Sequence, residues 1–77
     1  MRLLIVEDEQ HLAEGLKFNF EAEGYQVDLA AEGETALQLL SEASPPIDLM
    51  ILDLMLPDMS GYEICEHVRI ENDELPI

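Results

Sequence analysis

Basic residues are nearly absent from this chain. Its 77 residues include 3 lysines and arginines against 18 aspartates and glutamates, a formal net charge of -15. Such a surface repels phosphate backbones, which argues against direct nucleic acid binding by this segment. A basic patch on a partner, or divalent cations, would suit it better. Cysteine is nearly absent too. Cys65 stands alone, so no intrachain disulfide can form and a reducing compartment is expected. His11 is far from it in sequence and His67, two residues on, is a single neighbour at a spacing that points away on a helix, so the thiol reads as a small apolar side chain. No stretch approaches the ~20 apolar residues that span a bilayer. The N-terminal Met-Arg-Leu-Leu-Ile-Val runs at once into acids, without the long apolar region and cleavage site of a signal peptide. No membrane partner is expected, and the cytoplasm is the default location. Linkers, repeats and low-complexity segments are also lacking. The length allows one small, marginal domain, residues 1–77, and no second.

What is present is a core-forming pattern, with 48% hydrophobic residues. Leu3 to Val6 is a short apolar run that reads as a buried strand. Leu12, Ala13, Leu16 and Phe20 share one sector of a helix over about 10–23, with Phe18 off the stripe. Gly24 is a natural stop. Tyr25, Val27 and Leu29 alternate in a second strand. Glu32-Gly33 reads as a turn, and a second helix follows to about Ala43, with Ala36, Leu37 and Leu40 as its stripe. Ser44-Pro45-Pro46 ends it. Leu49 to Leu52 is apolar throughout and bounded by turn signals, as expected for a strand buried on both faces. Gly61 to about Glu71 reads as a third helix, with Tyr62, Ile64, Cys65 and Val68 as apolar positions. Ser60 and Glu63 are placed to form its capping box. A polar turn at 72–74 leads to Leu75-Pro76-Ile77, the opening of a further strand. Strands alternating with helices imply an α/β fold with a parallel sheet.

The carboxylates stand out within this frame. Glu7 and Asp8 follow the first strand, and Asp53 follows the third. In a parallel sheet those ends share one edge, where such folds place functional groups. If the two strands are neighbours, the three acids converge. At ~4 Å each like-charged pair costs on the order of 4 kcal/mol at an effective dielectric near 20. One group must then take up a proton, or a cation must bind. Oxygen ligands with room for water suit Mg²⁺, with Mn²⁺ as a substitute. The plainer alternative is that these acids cap loop ends in solvent, as acids often do in turns.

Leu3-Leu-Ile-Val-Glu7-Asp8-Glu9, together with Asp53-Leu-Met-Leu-Pro57-Asp-Met-Ser-Gly61, resembles the receiver domain of bacterial two-component response regulators. Gly24-Tyr25, Ala31-Glu-Gly33 with Ala36-Leu37, and Leu75-Pro76-Ile77 fall where that family has similar segments. The resemblance implies a flavodoxin-like fold, of which this chain carries three parallel strands in the order 2-1-3 and three helices. Receiver proteins are a standing example of the full order 2-1-3-4-5. It implies that Asp53 is the phosphoacceptor, serving a sensor histidine kinase. Glu7, Asp8, Asp53 and the backbone carbonyl of Met55 would hold Mg²⁺, and Pro57 and Gly61 would shape the adjoining loop. The implied role is phosphorelay signalling, most often controlling transcription, rather than catalysis on an external substrate.

The family's phosphoryl-sensing hydroxyl, its pairing lysine and its reporting aromatic residue have no counterparts in these 77 residues, and Lys17 on the first helix does not replace the lysine. The fragment itself is therefore expected to switch and to accept phosphate poorly. The other expectation is an assembly module. With a truncated sheet, Leu49 to Leu52 would present an unblunted edge, and a homo-oligomer, most simply a dimer, would complete the fold.

Overall fold

The computed structural model describes residues 1–43, 45–53, 56–71 and 75–77. Its element order is β1 (Arg2–Val6), α1 (Gln10–Ala22), β2 (Gln26–Ala30), α2 (Gly33–Glu42), β3 (Leu49–Leu52) and α3 (Gly61–Glu71). Ser44 of the Ser-Pro-Pro stop, the Met55 carbonyl and the polar turn at 72–74 lie outside the described residues.

The apolar run of β1 is buried on both faces, whereas in β3 only Met50 is fully buried and Leu49, Ile51 and Leu52 are half-buried, short of the burial on both faces expected for that run. All pairings are parallel, in the order β2-β1-β3. Thus β1 is central, and its residues 3–6 are all buried. Alternation along it divides the core into two layers. Leu3 and Ile5 join Val27 on one face, where Leu16 and Phe20 of α1 pack with Tyr25, Leu29, Leu49 and Ile51. Phe20 and Tyr25 meet edge to face at 5.8 Å. Leu4 and Val6 face the other way, onto Ala30, Ala36, Met50, Ile64 and Val68 beneath α2 and α3. Helices on both faces of a parallel sheet make the doubly wound arrangement that the resemblance implies.

Two apolar positions fall outside the core. Leu12 is 50% exposed. The buried line of α1 runs through Ala13, Leu16 and Phe20, and at 100° per residue Leu12 sits roughly 75° from its centre. Tyr62 is 69% exposed. Ile64 and Val68 turn α3 toward the sheet, and Tyr62 lies on the far side of the helix from Ile64. Phe18 is 74% exposed, on the outer side of α1 as its spacing implies. Gly33 belongs to the first turn of α2 rather than to the turn before it.

The helix boundaries have local causes. Glu9 caps α1, its carboxylate accepting from the His11 N–H at 3.2 Å and the Leu12 N–H at 2.7 Å. At the other end Gly24 takes φ +95°, the left-handed region that glycine enters without steric cost, and the Tyr25 N–H returns to the Phe20 carbonyl at 3.1 Å. The Ser60–Glu63 box forms before α3. The Glu63 N–H donates to Ser60 Oγ at 3.2 Å, and the Ser60 N–H to Glu63 Oε1 at 3.4 Å.

The expectation of a bare β3 edge is corrected at Met50. The Met50 N–H donates to the Pro76 carbonyl at 2.9 Å, and Leu75 is buried in the α2–α3 layer. Arg69 secures this stretch from α3, donating to the Leu75 carbonyl at 2.6 Å. Residues 75–77 therefore lie along β3, although they do not form a regular strand. Burial of the apolar Leu75 side chain in the same core cluster as Met50 favours this docking.

Candidate functional site

Register brings the acids together. In the β1–β3 ladder Val6 lies opposite Leu52, so the next residues, Glu7 and Asp53, emerge side by side. Backbone bonds fix both. The Asp53 N–H donates to the Val6 carbonyl at 2.9 Å, and the Glu7 N–H donates to the Ala30 carbonyl at 3.0 Å. Asp8 follows in the turn that leads to α1. Each of Glu7, Asp8 and Asp53 offers a carboxylate oxygen, and these oxygens all lie within 4.8 Å of one another. Glu7 and Asp53 are half-buried and Asp8 is exposed.

Glu7 feels this arrangement. The Glu9 N–H bonds to its Oε2 at 3.1 Å and acts to lower its pKa. Desolvation, the charge of Asp53 and the side chains of Asp8 and Asp53 act the other way and prevail together, so its pKa is raised above the usual glutamate value. The local field thus favours a proton or a cation at this spot. Three oxygen donors on one open edge fit a hard divalent ion that retains water.

The loop after Asp53 is held from a direction that local sequence does not reveal. Asp58 Oδ1 accepts from the Gly33 N–H at 2.7 Å, and Oδ2 accepts from the Glu34 N–H at 3.0 Å. Glu32, at the N-cap of α2, makes no side-chain cap bond. These two amide bonds, that from Glu34 first, lower the Asp58 pKa below the usual aspartate value. The signal for this contact was a helix start with no Ser, Thr, Asp or Asn to cap it. Of the other loop residues singled out by sequence, Gly61 is buried at the start of α3 and Pro57 is exposed. Cys65 is half-buried on α3 and does not join the acidic cluster, and the exposed His11 and His67 do not join it either.

Comparison with known proteins matches this geometry. The family model for the response regulator receiver domain covers residues 3–77. The transcriptional regulatory protein AfsQ1 of Streptomyces coelicolor is 41% identical over 75 residues, which cover 97% of this chain and 32% of that protein. The non-phosphorylated HemR receiver domain of Leptospira biflexa superposes with a TM-score of 0.89 at 36% identity, covering 97% of this chain and 59% of that one. The response regulator TrrA of Thermotoga maritima, solved in complex with Mg²⁺–BeF, gives 0.87 at 38% identity, over 94% and 61% of the two chains. TrrA has also been solved in complex with the histidine kinase ThkA. The chain spans about a third of the length of its curated relatives and about three-fifths of the receiver structures. With the match running through both the β1 and β3 ends that form the acidic cluster, the chain belongs to the response regulator receiver domain family.

Proposed function

We propose that Asp53 accepts a phosphoryl group from a phosphohistidine of a sensor histidine kinase. In this reading Glu7 and Asp8 hold Mg²⁺ beside it, with the backbone carbonyl of Met55 as a further ligand, and Mn²⁺ can substitute. Pro57 and Gly61 shape the loop between the site and α3. The observation that carries the reading is the convergence of three carboxylates at the adjoining ends of β1 and β3. The Mg²⁺–BeF complex of TrrA and its complex with a kinase lend it support by similarity.

The chemistry follows from the residues. Asp53 and an incoming phosphoryl group are both negative, so the carboxylate is a poor nucleophile unaided. Bound Mg²⁺ supplies the charge that offsets this repulsion. Asp53 is held in place by its backbone bond to Val6. One of its carboxylate oxygens forms the new O–P bond while the N–P bond to imidazole breaks. The electron pair leaves on the imidazole nitrogen. Glu7 and Asp8 would hold the cation and do not touch the leaving group. The acyl phosphate then places about 1.5 to 2 negative charges at the sheet edge. The chain is itself the acceptor, so it acts as a signalling module and not as an enzyme on an external substrate.

The wider role rests on the relatives. The longer protein to which this segment corresponds controls transcription, as the name of AfsQ1 indicates for that protein. Its location is the cytoplasm; no helix among the described residues is long and apolar enough to cross a membrane. DNA contact is left to other parts of that protein, given the acidic charge here. Titration with Mg²⁺ tests the site. A saturable response is expected, weakened by Asp8→Asn on the order of 10- to 100-fold. Equal affinity in the two proteins would remove the site. In a chain extended to the full length of the receiver structures, an acyl-phosphate donor should label Asp53 once and leave Asp53→Asn unmodified. Labelling that persists in the variant would move the acceptor elsewhere.

A further inference from the structure

Helix α2 begins with backbone donors that its own sequence does not satisfy. Its first N–H groups have no intrahelical acceptor, and Glu32 offers no side-chain oxygen to them. The acceptor comes from the loop after β3. Both oxygens of Asp58 are used, one by Gly33 and one by Glu34, across 25 and 24 residues of sequence. A carboxylate suits this place twice over, by its two lone-pair directions and by its charge against the helix dipole.

Shape reinforces the bond. A Cβ at Gly33 would collide with the side chain of Met59 and lie 3.1 Å from Ile64 Cδ1. Glycine is needed here for close approach, not for an unusual backbone angle. Ser60 is tied in turn to Glu63 at the start of α3. The end of the loop that leaves Asp53 is thus clasped to α2 by Asp58 and Met59 and to α3 by Ser60. Its beginning is pinned to β1 through the Asp53 N–H.

We infer that Asp58 is a positioning residue for the acidic site, coupling occupancy of Glu7, Asp8 and Asp53 by a divalent cation to the N-terminus of α2. The inference rests on the reading of those three carboxylates as a Mg²⁺ site. Asp58 follows Asp53 by five positions, and the two residues are hydrogen-bonded to β1 and to α2 respectively. In this coupling a shift of Asp53 toward an ion reaches the Gly33 and Glu34 amides through Asp58. Coupling of this kind is reciprocal, so the clasp also favours the geometry that binds the ion. Asp58 touches neither the ion nor the phosphoryl group.

The test is a Mg²⁺ titration of the 77-residue chain followed by amide chemical shifts. In the wild-type chain the Gly33 and Glu34 amides should move with the same midpoint as those of Glu7 and Asp8. In Asp58→Ala the Gly33 and Glu34 amides should stop responding, and the Mg²⁺ midpoint at Glu7 and Asp8 should rise about fivefold or more. Asp58→Asn keeps one acceptor oxygen and should fall between, and it carries the test if the alanine variant does not fold. Static Gly33 and Glu34 amides in the saturated wild-type chain would overturn the inference. So would a Mg²⁺ midpoint unchanged in both variants, because a cap that served stability alone would leave it unmoved. A chain in which no amide near Glu7, Asp8 or Asp53 responds to Mg²⁺ would instead fail the site reading, and the inference with it.

Discussion

At the end of the sheet where the strands begin, Asp48 and, from the middle of β2, Asp28 gather around Arg2. At the end where they finish, Glu7, Asp8 and Asp53 gather with one another. The first end is closed by the chain itself. Arg2 Nε meets Asp28 Oδ2 at 2.6 Å, its Nη1 donates to the Pro45 carbonyl at 2.8 Å, and its backbone N–H donates to Asp48 Oδ2 at 2.9 Å. The Asp48 N–H returns to the Arg2 carbonyl at 2.8 Å. A single cation thus joins β1, β2 and the entry to β3. In a chain with three basic residues, one of them forms the ion pair with Asp28 at the first end, whereas the second end is built from three carboxylates, and this separates the two purposes. The Arg2 end holds the strands in register, and the carboxylate end keeps a field that an external cation can answer.

The contrast can be broken most sharply by giving the acidic end its own cation. Asp8→Lys should abolish the saturable Mg²⁺ response, a loss beyond the ~10–100-fold expected from weakening a ligand shell. Calorimetric titration would read it, and retained binding would show that the ion sits elsewhere. The next largest effect comes from the opposite end. Arg2→Met leaves Asp28 without its partner and frees the Pro45 carbonyl, and it should lower the thermal midpoint by several degrees while leaving Mg²⁺ affinity intact. Glu7→Gln should act with the opposite sign. The folded state raises the Glu7 pKa, so Glu7 costs the fold stability as pH rises through the range above the ordinary glutamate value. In chelator at neutral pH the glutamine variant should melt slightly higher than the wild-type chain and lose Mg²⁺ binding. An unchanged or lower midpoint would show that repulsion in the cluster is already relieved. The smallest effect belongs to Asp58. Its pKa is lowered in the fold, so its contribution is fully present above the ordinary aspartate value and is lost as pH falls through the lowered one. Acid unfolding curves of wild type and Asp58→Asn should therefore differ at neutral pH and converge at the acid end.

These two ends were not equally legible in the sequence. Asp53 could be located because an apolar run stopped at a carboxylate, and the bounds Leu49–Leu52 and Gly61–Glu71 agree with the structure. Glu7 and Asp8 followed from the same logic at β1. Strand adjacency, on which their convergence depends, came from the resemblance and not from spacing. Arg2, Asp28 and Asp48 carried no signal, because their contacts join residues 26 and 46 apart. Asp58 was hidden for the same reason, although an uncapped α2 was visible. Leu12 and Tyr62 show a different limit. Periodicity finds an apolar face, but the width of the buried arc depends on what packs against it.

The central position of β1 has a further consequence for how the molecule comes together. Its residues lie first in the chain, yet every partner is distant. Arg2 pairs with Gln26, 24 residues on, and Leu3 pairs with Leu49, 46 residues on. Closing the longer loop costs only about 0.6 kcal/mol more, so length alone does not decide the order. What favours β2 is that its pairing also buries the α1 layer, including Phe20 against Tyr25. Folding should therefore begin with β1, α1 and β2 as a unit, and β3 should join afterwards. Pulse-labelled hydrogen exchange would show protection at Val27 to Leu29 before Met50 to Leu52, and the reverse order would place nucleation on the α2–α3 side. With β3 docking second, the pair formed by Glu7 and Asp53 does not exist until the rest of the sheet does. The chain thereby avoids assembling this repulsive contact before there is a structure able to hold it.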